Sequence, residues 1–210
     1  MRTIYSKFDK KRIQDLPRVL FPGRIEVIQS NIQIKGAVDF LLTQPILGLD
    51  TETRPCFKRG QTNKVSLLQV SAPEICFLFR LNFIGLPSEL VGLLEDKKVL
   101  KIGLALRDDL NNLRKLSDFK AGVFCDLQNI VKDFGIQDQS LQKLYANILG
   151  KKISKGQQLS NWEADVLTDA QKAYAATDAW ACIQIYEELQ RIKEEGYRLV
   201  EFESEESIKI

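Results

Sequence analysis

Ile46-Leu47-Gly48-Leu49-Asp50-Thr51-Glu52 is an apolar run that ends on two carboxylates. The run reads as a buried strand, and residues i and i+2 of a strand share a face, so Asp50 and Glu52 aim into one pocket. Two unpaired charges in a buried pocket are strongly penalised. A divalent cation resolves the conflict, and hard oxygen ligands on a rigid strand suit Mg²⁺ or Mn²⁺.

On either side of this strand the pattern alternates between the two periods. Arg24 to Ile28 reads as a short strand, Ile34 to Leu42 as a helix, and Lys64 to Ser71 and Glu74 to Phe79 as two strands turning at Ala72-Pro73. With Ile46 to Glu52 the latter two form a meander. A helix at Ser88 to Leu94, a strand at Val99 to Gly103, a helix from Leu106 and a strand at Val123 to Cys125 follow, and this alternation argues for a parallel α/β portion. Helices begin at Leu127, Ser140 and Thr168, the last running to about Glu194 ahead of an acidic tail, Glu201 to Glu206. Residues 1–23, polar and broken by Pro17 and Pro22, read as an N-terminal extension, 24–195 as one domain and 196–210 as a tail.

The helix after Gly103 offers two aspartates, and periodicity separates them. Leu106, Leu110 and Leu113 mark the buried stripe; Asp109 falls on it, whereas Asp108 lies with Asn112 and Lys115 on the wet face. The last long helix opens on Thr168-Asp169-Ala170-Gln171, a capping box. Within it Tyr174 and Asp178 are i and i+4 and share a face, with small neighbours Ala170, Thr177 and Ala181 leaving room beside them. Each feature has an ordinary structural explanation when taken singly: a turn or ion pair for Asp50 and Glu52, a helix cap for an inward aspartate, packing for Trp162.

Composition narrows the chemistry. The chain has 210 residues and no histidine, which excludes Ser-His and Cys-His pairs, an imidazole base and His-ligated zinc. At 44% hydrophobic and 28% charged it can bury one substantial core. The N-terminus lacks an apolar export core and no apolar stretch is long enough to span a membrane, so a cytoplasmic protein with no membrane partner is expected. Cys56, Cys76, Cys125 and Cys182 are widely spaced and read as reduced thiols. A net charge of +2 leaves any nucleic-acid affinity to local patches: Lys7 to Arg12, Lys58 to Lys64, and the lysines at 151, 152 and 155.

In order along the chain, Asp50-Thr51-Glu52, Gly103 to Leu110 and Tyr174-Ala175-Ala176-Thr177-Asp178-Ala179 resemble the three motifs of the DEDDy 3'-5' exonucleases. The chain looks most like stand-alone bacterial relatives of the Werner-syndrome exonuclease and ribonuclease D, over roughly Arg24 to Glu195, including Lys64 to Val70 and Leu159-Ser160-Asn161-Trp162. The resemblance implies a ribonuclease H-like α/β fold, a five-stranded mixed sheet flanked by helices. It implies that Asp50, Glu52 and Asp178 hold one divalent ion, that Asp50 helps hold a second supported by Asp109, and that Tyr174 orients the attacking water. The partner is the 3' end of a nucleic acid, DNA being favoured over RNA, and the products are nucleoside 5'-monophosphates.

Substrate contacts are expected from Thr51, Thr53 and Arg59 near the first motif and from Lys155 and Trp162 near the last. The chain ends soon after its third motif, so weak processivity, short substrates or a protein partner that supplies anchoring is expected. The competing reading is a catalytically silent nucleic-acid or protein-binding module of the same fold.

Overall fold

The structure, a computed structural model, describes residues 1–56, 60 and 63–201. In chain order the elements are β1 (Arg2–Tyr5), a 3-10 turn (Lys10–Asp15), β2 (Arg24–Ile28), α1 (Asn31–Leu41), β3 (Ile46–Thr53), β4 (Val65–Ser71), β5 (Ile75–Phe79), α2 (Leu81–Ile84), α3 (Ser88–Glu95), β6 (Leu100–Gly103), α4 (Leu106–Arg114), β7 (Phe124–Asp126), α5 (Leu127–Asp133), α6 (Leu141–Leu149), α7 (Asp169–Glu195) and β8 (Tyr197–Val200).

The main sheet has the order β2-β5-β4-β3-β6-β7. β3, β4 and β5 form an antiparallel meander, while β6 and β7 continue from β3 in parallel. The sheet therefore has six strands among the described residues, not five: β2 adds to the edge in parallel with β5. Every residue of β4 and β5 is buried; β5 reads as a continuous apolar run, while β4 also carries the buried polar residues Ser66, Gln69 and Ser71.

One side of the sheet is covered by α1 and α3, with Leu47 and Leu49 of β3 in that core. The other side is covered by α7, whose 27 residues cross β3, β4, β5 and β6. Gly48 makes this crossing close, because a Cβ there would run into the Ala179 carbonyl. Alternation along β3 places Asp50 and Glu52 on the same side as Gly48, facing α7.

The chain's two ends pair with each other. β1 lies parallel to β8, Ile4 is fully buried, and the Asn147 amide of α6 bonds both the N–H and the carbonyl of Tyr5. Helix α1 begins three residues ahead of its apolar pattern, with Ser30 at the N-cap position. Among the described residues no helix is long and apolar enough to cross a membrane.

Candidate active site

Three elements bring the carboxylates together. β3 supplies Asp50 and Glu52, α4 supplies Asp109, and α7 supplies Asp178 with Tyr174 one turn earlier. The start of α7 is fixed by Thr168, whose hydroxyl accepts from the Gln171 N–H at 3.2 Å while Gln171 Oε1 accepts from the Thr168 N–H at 3.0 Å. From that start, Tyr174 and Asp178 face β3 across the gap that Gly48 keeps narrow.

Oxygens of Asp50, Glu52 and Asp178 all lie within 4.8 Å of one another. Glu52 is 9% exposed and Asp178 7%, so little water reaches them. Burial, and then the charges of Asp178 and Asp109, push Asp50 well above the usual carboxylate range. Burial chiefly, with Asp50 next, raises Glu52 to about 10. Asp178 is raised to about 7 by burial, against the opposing pull of the Tyr174 phenol and the Lys155 ammonium. Such a set is stable when protonated or when a cation satisfies it. Its oxygen-only chemistry and its shortage of internal counter-charge fit a hard divalent ion.

Asp109 stands apart from that trio and is half-buried. The Thr51 hydroxyl donates to its carboxylate, and burial raises it to about 6. Asp108, next along α4, is exposed. Tyr174 is 8% exposed, and burial together with the neighbouring carboxylates drives its phenol far above its ordinary value, so it stays protonated.

Asp50, Glu52, Asp178 and Tyr174 line a cleft of about 300 Å³ that also includes Thr51, Leu104, Ser140, Lys155 and Gln158, whereas Asp109 is not among the lining residues. Lys155 is thus placed at the cleft. Thr53 follows a register shift in the β3–β4 pairing and is not among the lining residues. Arg59 lies outside the described residues. Trp162 is fully buried, with its ring 6.1 Å from that of Tyr174, so it backs the tyrosine and offers no face for a base. Its loop is tied down from behind by the buried Arg80 guanidinium, which donates to the Ala164 and Asp165 carbonyls.

Two residues that sequence reading passed over support the site. Asp126, at the end of β7, accepts from the N–H groups of Ala105 at 3.0 Å and Leu106 at 2.9 Å, and also from Gln128 at 2.9 Å as the cap of α5. It fixes the turn from β6 into α4, where Ala105 adopts a left-handed conformation at φ 58°. Gln69 of β4 is paired directly with Asp50 and is fully buried, and neither atom of its amide has a hydrogen-bond partner. Cross-strand partners share a face, which sets this amide beside Asp50. The local signals were an aspartate one residue before an apolar helix and a glutamine inside an apolar strand, both too common to single out unaided.

Fold and cluster together define an α/β protein of the ribonuclease H-like type with an acidic site beneath its longest helix. A family model for the 3'-5' exonuclease domain matches residues 25–194. The chain belongs to this family, the 3'-5' exonuclease domain family. It is 31% identical over 185 residues to mouse bifunctional 3'-5' exonuclease/ATP-dependent helicase WRN, covering 83% of this chain and 13% of that protein. It is 36% identical over 155 residues to Drosophila melanogaster exonuclease 3'-5' domain-containing protein 2, covering 71% and 26%. With ribonuclease D of Gluconacetobacter diazotrophicus it shares 29% over 181 residues, covering 84% and 45%. The chain therefore spans less than half the length of these three relatives.

Solved structures agree on the fold. The EXO domain of Aedes aegypti Nibbler superposes with a TM-score of 0.74 at 22% identity, covering 83% of this chain and 91% of that one. Trypanosoma brucei RNase D in complex with RNA U12 superposes with a TM-score of 0.71 at 20% identity, covering 80% and 63%.

Proposed function

We propose that this exonuclease removes nucleotides from the 3' ends of single-stranded or 3'-ended nucleic acid as nucleoside 5'-monophosphates, using two divalent ions, Mg²⁺ or Mn²⁺. The observation that supports this reading is the buried trio Asp50, Glu52 and Asp178, whose oxygens converge within 4.8 Å. In this reading the trio holds one ion, and Asp50, with Asp109 in support, helps hold the second. The bound ions would supply the Lewis acidity and charge neutralisation that phosphodiester hydrolysis requires.

The protein's own groups do the positioning. Tyr174 remains a phenol, so it is a poor base; its O–H orients a water for attack on the phosphorus and its ring, backed by Trp162, keeps that position. Lys155, at the cleft and close enough to lower Asp178, pairs with a substrate phosphate. The Thr51 hydroxyl donates to Asp109 and, lining the cleft, keeps its lone pairs free to accept from the substrate.

The expectation of DNA over RNA gains no support from the cleft, which presents hydroxyl, amide and lysine groups with no evident bias for one sugar. Relatives named ribonuclease D weigh towards RNA, and we propose that RNA 3' ends are accepted. The test is digestion of matched linear and circular single strands, RNA and DNA, with Mn²⁺ or chelator. Stepwise shortening of linear strands to 5'-monophosphates, with circles intact, is expected. Cut circles would indicate an endonuclease, and intact strands throughout a silent binding module.

A further inference from the structure

A second cavity of about 270 Å³ adjoins the cleft, and the two share Ser154, Tyr174 and Asp178. Its far wall comes from Arg18 and Leu20, residues that precede the family match at 25–194. The remainder of the wall includes Ala170 and Ala173 on the first turns of α7, which leave space that larger side chains would fill.

The segment that carries Arg18 and Leu20 is held at three points. Lys152 N–H donates to the Pro17 carbonyl at 2.9 Å, Val19 N–H to the Lys152 carbonyl at 3.0 Å, and Phe21 N–H to Thr177 Oγ1 at 2.9 Å. Phe21 is buried against Trp180, ring centroids 5.9 Å apart, and Val19 packs on the core, while Arg18 and Leu20 alternate outward. Leu20 is 43% exposed, and among the described residues Arg18 forms no ion pair although it stands beside an acidic centre. A rigid backbone presenting an unpaired guanidinium and an apolar side chain next to the reacting groups has the composition of a nucleotide subsite: a cation for phosphate and an apolar surface for a base.

We propose that residues 17–21 complete a second substrate subsite, in which Arg18 binds a backbone phosphate and Leu20 packs against a base of the same strand, away from the scissile bond. The inference rests on the exonuclease reading above and assigns to this chain's N-terminal segment a part in holding the strand. It gives the domain an anchor of its own, at the site where the lysine-bearing loop around Lys155 and the N-terminal segment meet.

The experiment measures binding of 5'-fluorescein single strands, a dinucleotide and an octanucleotide, by anisotropy with Ca²⁺ present, for the wild-type chain, Arg18→Ala, Arg18→Lys and Leu20→Ser. Lys35→Ala, a charge removed from the distant helix α1, serves as the control. For Arg18→Ala a loss of about tenfold in octanucleotide affinity is expected, since hydrogen bonds to charged groups are worth roughly that factor. The slope of log K against log salt should fall by about 0.7, the value for one single-strand phosphate contact. Dinucleotide affinity should change less than twofold, and Arg18→Lys should recover part of the loss. Octanucleotide affinity and salt slope unchanged from wild type, or equal loss for both lengths, would overturn the subsite while leaving the exonuclease reading intact. A wild-type chain that binds neither strand would overturn both.

Discussion

The Thr51 hydroxyl donates to the Asp109 carboxylate, tying the strand that bears Asp50 and Glu52 to the helix that bears the fourth acid. One hydrogen bond thus sets the spacing between two motifs 58 residues apart in sequence. Thr51→Val keeps the β-branched shape of the strand and removes the donor. Loss of such a supporting bond costs about 10-fold to 100-fold in activity, and Thr51→Ser should retain most of it. Asp108→Ala, on the exposed face of α4, should be nearly silent beside Asp109→Ala; kcat measured on a single-stranded oligonucleotide separates these variants.

The raised carboxylates of the site make the metal-free protein sensitive to alkali. Asp109 at about 6, Asp178 at about 7 and Glu52 at about 10 are raised above their ordinary 3.8, 3.8 and 4.5, so the folded state binds these protons more tightly than the unfolded chain. Their contribution to stability is complete below about pH 4 and is lost as pH rises through the folded values. In chelator, Tm should fall between pH 5 and pH 9 by several degrees, since 1 kcal/mol is worth roughly 2–4 °C at this size. Asp178→Asn should raise Tm at pH 8 in chelator and flatten the profile; a steeper decline would contradict the repulsion described here.

Gly48 sets how closely α7 crosses β3. Gly48→Ala would push its methyl into the Ala179 carbonyl, and either strand or helix must retreat. Overpacking of this kind costs about 1–3 kcal/mol. Because Asp178 adjoins Ala179, activity should fall more than stability alone explains. Thermal melting and turnover measured on the same preparation test this, with a loss of Tm at full activity as the contrary result.

Asp126 and Ala105 form a local support for α4. Asp126→Ala leaves two N–H groups at the start of α4 and one at α5 without their acceptor, and should cost about 1–2 kcal/mol. Ala105→Gly removes the penalty of a left-handed alanine and should stabilise by up to about 1 kcal/mol. Chemical denaturation of both variants reads the two effects with opposite signs.

Much of this architecture was legible in sequence because it rests on short periods. The meander, the parallel strands after it, the capping box at Thr168 and the i, i+4 relation of Tyr174 to Asp178 all follow from local pattern. What escaped depends on distant partners. β1 and β8 are four-residue strands with no telling alternation, and they exist because the two ends of the chain pair. β2 was visible as a strand, but its place at the sheet edge beside β5, giving six strands in place of five, is a tertiary fact. Trp162 was read as a substrate contact with packing as its ordinary explanation, and packing is what the structure shows; the Arg80 anchor that holds its loop lies more than 80 residues earlier. The bond from Thr51 to Asp109 also escaped, because the two residues are remote in sequence.

Calorimetric titration of Mn²⁺ into the chelator-stripped protein at neutral pH, beside Asp178→Asn, tests the central claim most directly. Saturable binding to the wild-type chain, with release of protons and with affinity lost in the variant, is the predicted result, because the ion must displace protons from the raised carboxylates of the trio. Absence of binding, or the same isotherm for both proteins, would contradict a cation site built by Asp50, Glu52 and Asp178.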